Sequence, residues 1–205
     1  MTEPPPDSES NESGDFENAR DVELMLQVRT TDNHAAFQNL IERHQNAVIG
    51  TVAKMLGNAN EAEDIAQQVF LRLWKSRARY QPSAKFTTFL YTITRNLVFN
   101  ESRRRSRHKE SSLDQHKDDY ELELPGNPNQ QPDREHLNAE LRGAIDEAIA
   151  ALPEKQRLAI VLRRYQNLPY EEIATVLDLT IPAVKSTLFR ARATLRDSLA
   201  SYLQE

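Results

Sequence analysis

Near the C-terminal end of the 205-residue chain, Lys185, Ser186, Phe189 and Arg190 recur at spacings that gather them on one side of a helix, with Arg192 at the edge. Ammonium and guanidinium groups donate to phosphates and base edges, a hydroxyl donates or accepts, and an aromatic ring meets a thymine methyl, so the chemistry on offer is contact with a major groove. Val184, Leu188, Ala191 and Leu195 form an apolar stripe on the other side, which must face a core formed with Ile173, Ala174 and Leu177. The cations are then exposed, and so is Phe189. An exposed Phe among cations has no packing reason to be there, and a merely solvated basic helix leaves it unexplained.

A second cluster, Arg103, Arg104, Arg105 and Arg107, follows Tyr80, Phe86, Phe89, Tyr91 and Phe99. Aromatic rings beside cations supply stacking surface for unpaired bases next to charge for their phosphates. The arginines alone would equally suit the negative end of a helix dipole. Phe86 and Phe89 fall on an apolar stripe and belong to a core, whereas Tyr80, before Pro82, and Phe99, beside Asn100, are freer to make contacts.

Nothing comparable points to catalysis. There is no Cys, and His34, His44, His108, His116 and His136 are scattered. No acid, His or nucleophile constellation stands at usable spacing, so the expectation is a non-enzymatic protein with no metal site and no cofactor.

The net charge of -5 argues against nucleic acid only if it is evenly spread. Residues 1–23 carry eight acids and one Arg, and residues 110–140 carry nine acids against Lys117 and Arg134. The acids are therefore concentrated outside residues 24–109, where fourteen Lys and Arg face six acids, a local excess of +8 suited to phosphates. Residues 1–20 hold too little apolar surface to offset their ordering entropy and are expected to be disordered. No apolar run has signal-peptide or membrane-spanning length, so the expected location is the cytoplasm, with no membrane insertion.

The elements that position these groups read as helices throughout. Phe37, Leu40, Ile41, His44, Val48 and Val52 mark a long amphipathic helix, started by Asp32 or Asn33 and stopped by Gly57. Asn60, three residues before Glu63, resembles a capping box opening a helix with Ile65, Val69, Leu73 and Trp74 inward. Another helix follows Pro82 through Phe86, Phe89, Leu90, Ile93 and Leu97 into the arginine cluster. After an acidic, Pro-containing stretch come Leu137, Leu141, Ile145, Ile149 and Leu152 at helical spacing. A helix from Pro153 to about Tyr165 is next, then two helices over residues 170–177 and 181 to about 199, whose tight connection is that of a helix-turn-helix. The predicted fold class is all-α, with two small independently folding helical units at residues 21–109 and 137–205 joined by a flexible acidic linker at 110–136.

At this point the residues resemble a known family. AEDIAQQVFLRLWK (62–75) and FTTFLYTITRNLVFNESRRRSR (86–107) look like the two helices of sigma region 2, and LPEKQRLAIVLRRYQNLPYEEIATVLDLTIPAVKSTLFRARATLR (152–196) looks like sigma region 4. Both in this order, with no third domain between, resemble the extracytoplasmic-function (ECF) subfamily of sigma-70 factors of RNA polymerase. The resemblance covers about three quarters of the chain.

It implies roles by position. Asp64, Gln67, Gln68, Phe70, Leu71 and Trp74 match the helix that docks on the clamp of the polymerase beta-prime subunit, and the second unit would meet the beta flap. Residues 80–85, including Tyr80, Gln81, Ser83 and Lys85, together with Asn96, match the place where the family captures an extruded base of the -10 element. Arg95, Arg103 and Arg104, with the rest of the 103–107 cluster, would hold its backbone. Lys185, Ser186, Phe189, Arg190 and Arg192 would read the -35 element as duplex. Gln68 stands where the family more often has Glu, and Asn100 where Asp is usual. Promoter DNA, core RNA polymerase and an anti-sigma factor are the partners implied.

Overall fold

The computed structural model describes residues 8–111 and 132–202. Eight α-helices and two short 3-10 turns follow one another, with no strand among the described residues: α1 Ser8–Thr31, α2 His34–Leu56, α3 Ala59–Ser76, a turn at Arg77–Arg79, α4 Phe86–Ser111, α5 Pro132–Ala151, α6 Glu154–Tyr165, α7 Tyr170–Leu177, α8 Ile181–Ser198 and a turn at Ala200–Tyr202. The all-α expectation is met.

Local chemistry explains most boundaries. The Asn33 side chain accepts from the Ala36 amide at 3.0 Å and starts α2. Gly57, at φ 68°, ends it in the left-handed conformation that costs glycine little. Between α2 and α3 the sequence expectation misplaces the cap. Asn58, not Asn60, exchanges side-chain and backbone bonds with Glu61, and α3 accordingly opens at Ala59. Thr180 caps α8 by accepting from the Ala183 amide, and Pro182 occupies its first turn.

In the first unit, Met25 and Val28 of α1, Leu40, Val48 and Val52 of α2, Val69 and Leu73 of α3, and Phe86 and Leu90 of α4 are buried together. In the second, Leu158, Val161 and Leu162 of α6 meet Ile173, Val176 and Leu177 of α7 and Val184, Leu188 and Ala191 of α8. The two groups belong to one continuous core, because α4 packs on α7 and α2 packs on α5 and α6. Lys54 of α2 pairs with Asp146 of α5 at 2.7 Å, and Arg157 of α6 donates to the Met55 carbonyl at 2.6 Å. The separation expected of the two units is thus accompanied by extensive contact between them. Of the linker expected at 110–136, residues 112–131 lie outside the described residues, while α4 and α5 take its two ends.

Within the segment expected to be disordered, α1 begins at Ser8, and residues 1–7 lie outside the described residues. The reason is tertiary. Asp21, 2% exposed, accepts from Arg43 Nε at 2.7 Å and from His44 Nε2 at 2.8 Å. Glu17 takes the other end of Arg43, and Asn18 Oδ1 accepts from the Phe86 amide at 2.9 Å, satisfying the start of α4 from 68 residues away. These contacts offset an ordering cost that composition alone does not.

Asp21 is therefore expected to be a structural residue. Asp21→Ala strands a guanidinium and an imidazole in a partly buried site and should lower folding stability by about 3 kcal/mol. Glu17→Ala, on the exposed side of the same guanidinium, should cost at most about 1 kcal/mol. Urea denaturation of the two variants compares them directly.

Candidate nucleic-acid interface

The helix-turn-helix is built from α7, the residues Asp178 to Thr180 and α8. Asp178 adopts φ 55°, and its amide closes α7 on the carbonyls of Ala174 and Thr175. Val184, Leu188 and Ala191 of α8 are buried, so the rest of the 3.6-residue period is turned outward. Lys185, Ser186, Arg190 and Arg192 are exposed, and Phe189 is 74% exposed. None of the four cationic or hydroxyl side chains is engaged in an ion pair or hydrogen bond among the described residues. This face holds donors unpaired among the described residues and one exposed ring. Sequence reasoning missed its continuation: Lys155 and Gln156, in the first turn of α6, line one cleft with Ser186 and Arg190.

The residues expected at the -10 element separate into three environments. Gln81 and Ser83 are exposed on the loop before α4. Tyr80 is not available there: it is 1% exposed, its ring lies 5.2 Å from Phe89 and 6.5 Å from Phe86, and burial raises its hydroxyl pKa. Its position before Pro82 suggested freedom, but the turn at Arg77–Arg79 folds it inward under the loop. Phe99 is likewise partly buried against the core rather than free.

Lys85, just before α4, and Arg95 on α4 are in contact with α7, with Asn96 beside Arg95. Lys85 pairs with Glu172 at 3.5 Å. Arg95 donates through Nη1 to the Val176 carbonyl at 2.6 Å and through Nε and Nη2 to Asn96 Oδ1 at 3.1 and 2.8 Å. Asn96 is exposed, with its carbonyl oxygen held by Arg95. Thr87 and Thr88, which sequence reasoning did not single out, stand on the same face and donate to Glu172 at 3.4 and 3.1 Å.

Farther along α4 the arginine cluster divides. Arg103 and Arg107 are exposed and border a cleft with Glu154 and Arg157. Arg104 is exposed but bound twice to Glu101, each bond 2.8 Å, and this guanidinium holds the Glu101 carboxyl below its ordinary pKa. Arg105 turns inward, pairing with Glu61 and donating to the Leu56 carbonyl at 2.9 Å.

The set expected to meet polymerase lies on α3. Asp64, Gln67 and Gln68 are exposed, and Leu71 is 58% exposed. Phe70 is buried, and Trp74 is partly buried, stacked on His34 at 4.7 Å with the Arg77 guanidinium 4.4 Å from its ring centre. Phe70 and Leu71 share an apolar groove with Phe37, Ile41 and Ile49 of α2, which extend this surface beyond the residues the resemblance implied. No group of His, Asp or Glu able to hold a metal occurs among the described residues.

Comparison with known proteins accounts for both units. The family described as Sigma-70 region 2 matches residues 40–108, and Sigma-70, region 4 matches residues 142–195. The RNA polymerase sigma-H factor of Pseudomonas aeruginosa is 30% identical over 188 residues, 91% of this chain and 97% of that protein. The ECF RNA polymerase sigma factor SigW of Bacillus subtilis is 30% identical over 195 residues, 87% of this chain and 98% of that protein. The chain belongs to the ECF sigma factors of the sigma-70 family. Region 2 of this sigma factor therefore runs from within α2 into α4, and region 4 from α5 into α8. The fold agrees with that of CnrH, solved with the cytosolic domain of CnrY: TM-score 0.66 at 21% identity, covering 89% of this chain and 98% of that one. The same score and identity relate it to the sigma factor RpoE of Bartonella quintana, solved with the anti-sigma factor NepR, over 80% of this chain and 96% of that one.

The two sides of α8 are expected to behave oppositely. Leu188→Ala should cost about 2 to 5 kcal/mol of folding stability through the cavity it leaves, whereas Phe189→Ala should stay within about 0.5 kcal/mol of the parent. Thermal and urea unfolding of both variants read the difference.

Proposed function

We propose that the chain binds core RNA polymerase and directs promoter-specific initiation, reading a -35 element as duplex through α8 and a melted -10 element through α4 and the loop before it. As an ECF sigma factor it is a transcription initiation factor rather than an enzyme. The observation that carries the reading is the outward face of α8, where Phe189 stands exposed in a row of cations without hydrogen-bond or ion-pair partners among the described residues, on a helix whose opposite side is buried.

On this reading Lys185, Ser186, Phe189, Arg190 and Arg192 set the register on duplex and discriminate bases at the groove floor. Gln81, Ser83, Lys85, Arg95, Asn96, Arg103 and Arg104 take the displaced strand. Tyr80 is withdrawn from that set and supports the loop from beneath. The chain needs no catalytic group to open DNA. Unstacking costs a few kcal/mol per step, and selective binding of the open strand shifts the equilibrium toward it. Asp64, Gln67, Gln68 and Leu71 face the polymerase clamp with the groove beside them, Phe70 and Trp74 shape that surface from below, and region 4 meets the beta flap. The protein acts where polymerase is, in the cytoplasm, and no helix among the described residues is long and apolar enough to cross a membrane. An anti-sigma factor is part of the proposal, supported by the company in which the structural neighbours were solved.

Co-elution with core polymerase on gel filtration, followed by sequencing of transcript starts after overexpression, tests the assignment. Stoichiometric co-elution and a shared upstream motif are expected. A stand-alone operator-binding regulator would elute apart from polymerase. Arg190→Ala, assayed on single-substituted -35 duplexes at fixed salt, should lose about 1 to 3 kcal/mol and relax preference at one or two positions. A uniform loss across all duplexes would assign Arg190 to phosphate contact only.

A further inference from the structure

The first turn of α6 borders the outward face of α8, and its side chains offer the same chemistry. Lys155 and Gln156 line one open cleft with Ser186 and Arg190, and Pro153, Leu179 and Ala183 give that cleft an apolar lining. Lys155 is exposed, and its ammonium, like the cations of α8, has no hydrogen-bond or ion-pair partner among the described residues. Gln156 is partly buried, with its Oε1 inside and unpaired, and no hydrogen bond engages its amide N–H groups among the described residues. The one carboxylate lining the cleft, Glu154, has its Oε1 buried and is attracted by the charge of Arg157, so it does not cancel the ammonium.

The packing that fixes α8 also fixes these donors. Leu158, Val161 and Leu162 of α6 are buried with Val184, Leu188 and Ala191 of α8. The Arg157 amide donates to the Pro153 carbonyl at 2.9 Å, and its guanidinium donates to the Leu152 carbonyl at 3.1 Å and to the Ala150 carbonyl, so the turn that carries Lys155 is tied to the end of α5. Donors on an element already held in place lose little freedom on binding. Contacts to phosphates fix the register of a protein on duplex, whereas contacts to base edges carry the sequence. An ammonium and a side-chain amide at the margin of the α8 face have the chemistry of the first kind, and an apolar lining suits the deoxyribose that joins successive phosphates.

We propose that Lys155 and Gln156 form a phosphate clamp for the -35 duplex, holding the DNA backbone beside the groove and so fixing the register of α8 within it. The proposal rests on the reading of α8 as the duplex-binding helix. It places the clamp and the base-reading face on different helices, α6 and α8, with Arg190 between them. Lys155 then contributes to affinity for every sequence and to its salt dependence, while Arg190 contributes to preference among sequences.

The test uses the full-length chain and the single-substituted -35 duplexes, with fluorescence anisotropy read across a salt series. Lys155→Ala should bind every duplex about five-fold more weakly at low salt, leave the ratios among duplexes unchanged, and make the fall of log affinity with log salt shallower by about one unit. Lys155→Arg keeps a cation at the site and should retain the slope of the parent. Gln156→Ala should weaken all duplexes about three-fold at an unchanged slope, because the donor it removes is uncharged. Lys75→Ala removes an exposed cation from α3 and controls for overall charge; it should stay within about two-fold of the parent at the same slope. Circular dichroism verifies that each variant is folded. The clamp is overturned if Lys155→Ala or Gln156→Ala matches the parent, if Lys75→Ala loses as much as Lys155→Ala, or if Lys155→Ala changes preference at one position instead of affinity at all; relaxed preference in Arg190→Ala then leaves the reading of α8 standing. If the parent prefers no -35 duplex to a scrambled one, the reading of α8 fails and the clamp with it.

Discussion

Every helix leaves several amide and carbonyl groups unpaired at its ends, and in a chain built almost entirely of helices these groups must find partners elsewhere. Here they tie distant elements together. The carbonyls ending α2 are met by Arg157 of α6 at Met55 and by Arg105 of α4 at Leu56, while Arg95 of α4 meets Val176 at the end of α7. The first amide of α4 is met by Asn18 of α1. Each bond runs between elements far apart in sequence, so the positions of α1, α4, α6 and α7 are coupled through helix termini as well as through apolar packing. Burial lowers the pKa of the Arg157 guanidinium; its Nη1 and Nη2 meet the carbonyls of Met55, Ala150 and Leu152, while its buried Nε has no partner among the described residues.

This use of arginine divides the cationic excess of residues 24–109 into two populations. Arg43, Arg77 and Arg105 are committed to carboxylates of their own unit, at Asp21, Asp32 and Glu61. Arg103 and Arg107 remain on the surface, joined on α8 by Lys185, Arg190 and Arg192. Net positive charge is thus a poor guide to which groups meet DNA. What separates the populations is whether an acid on a neighbouring helix lies within reach, and that depends on how the helices cross.

Family membership and the fold bear on function through the same geometry. Region 4 supplies α8 with an exposed face of cations, a hydroxyl and one ring, and region 2 supplies α3 with an apolar, amide-bearing surface and α4 with a row of hydroxyls and cations that the contact between the regions covers.

The helices, their faces and several of their caps were legible from the chain alone. Asn33 and Gly57 act on backbone groups within four residues of themselves, and the outward turn of Phe189 follows from its offset from Val184, Leu188 and Ala191 on a 3.6-residue period. The Asn58 cap was mistaken for Asn60 because two Asn–x–x–Glu frames overlap there, and only the helix start chooses between them. Tertiary structure decided the rest. It buried Tyr80 beneath the loop, separated Arg105 from Arg103, tied α1 down by giving Asn18 and Asp21 distant partners, and set Glu172 against Lys85, Thr87 and Thr88. A sequence states what each residue offers to its neighbours within a turn or two. Whether a charge meets solvent, DNA or an acid more than eighty residues away is settled by the relative placement of packed helices, which depends on all of their side chains at once.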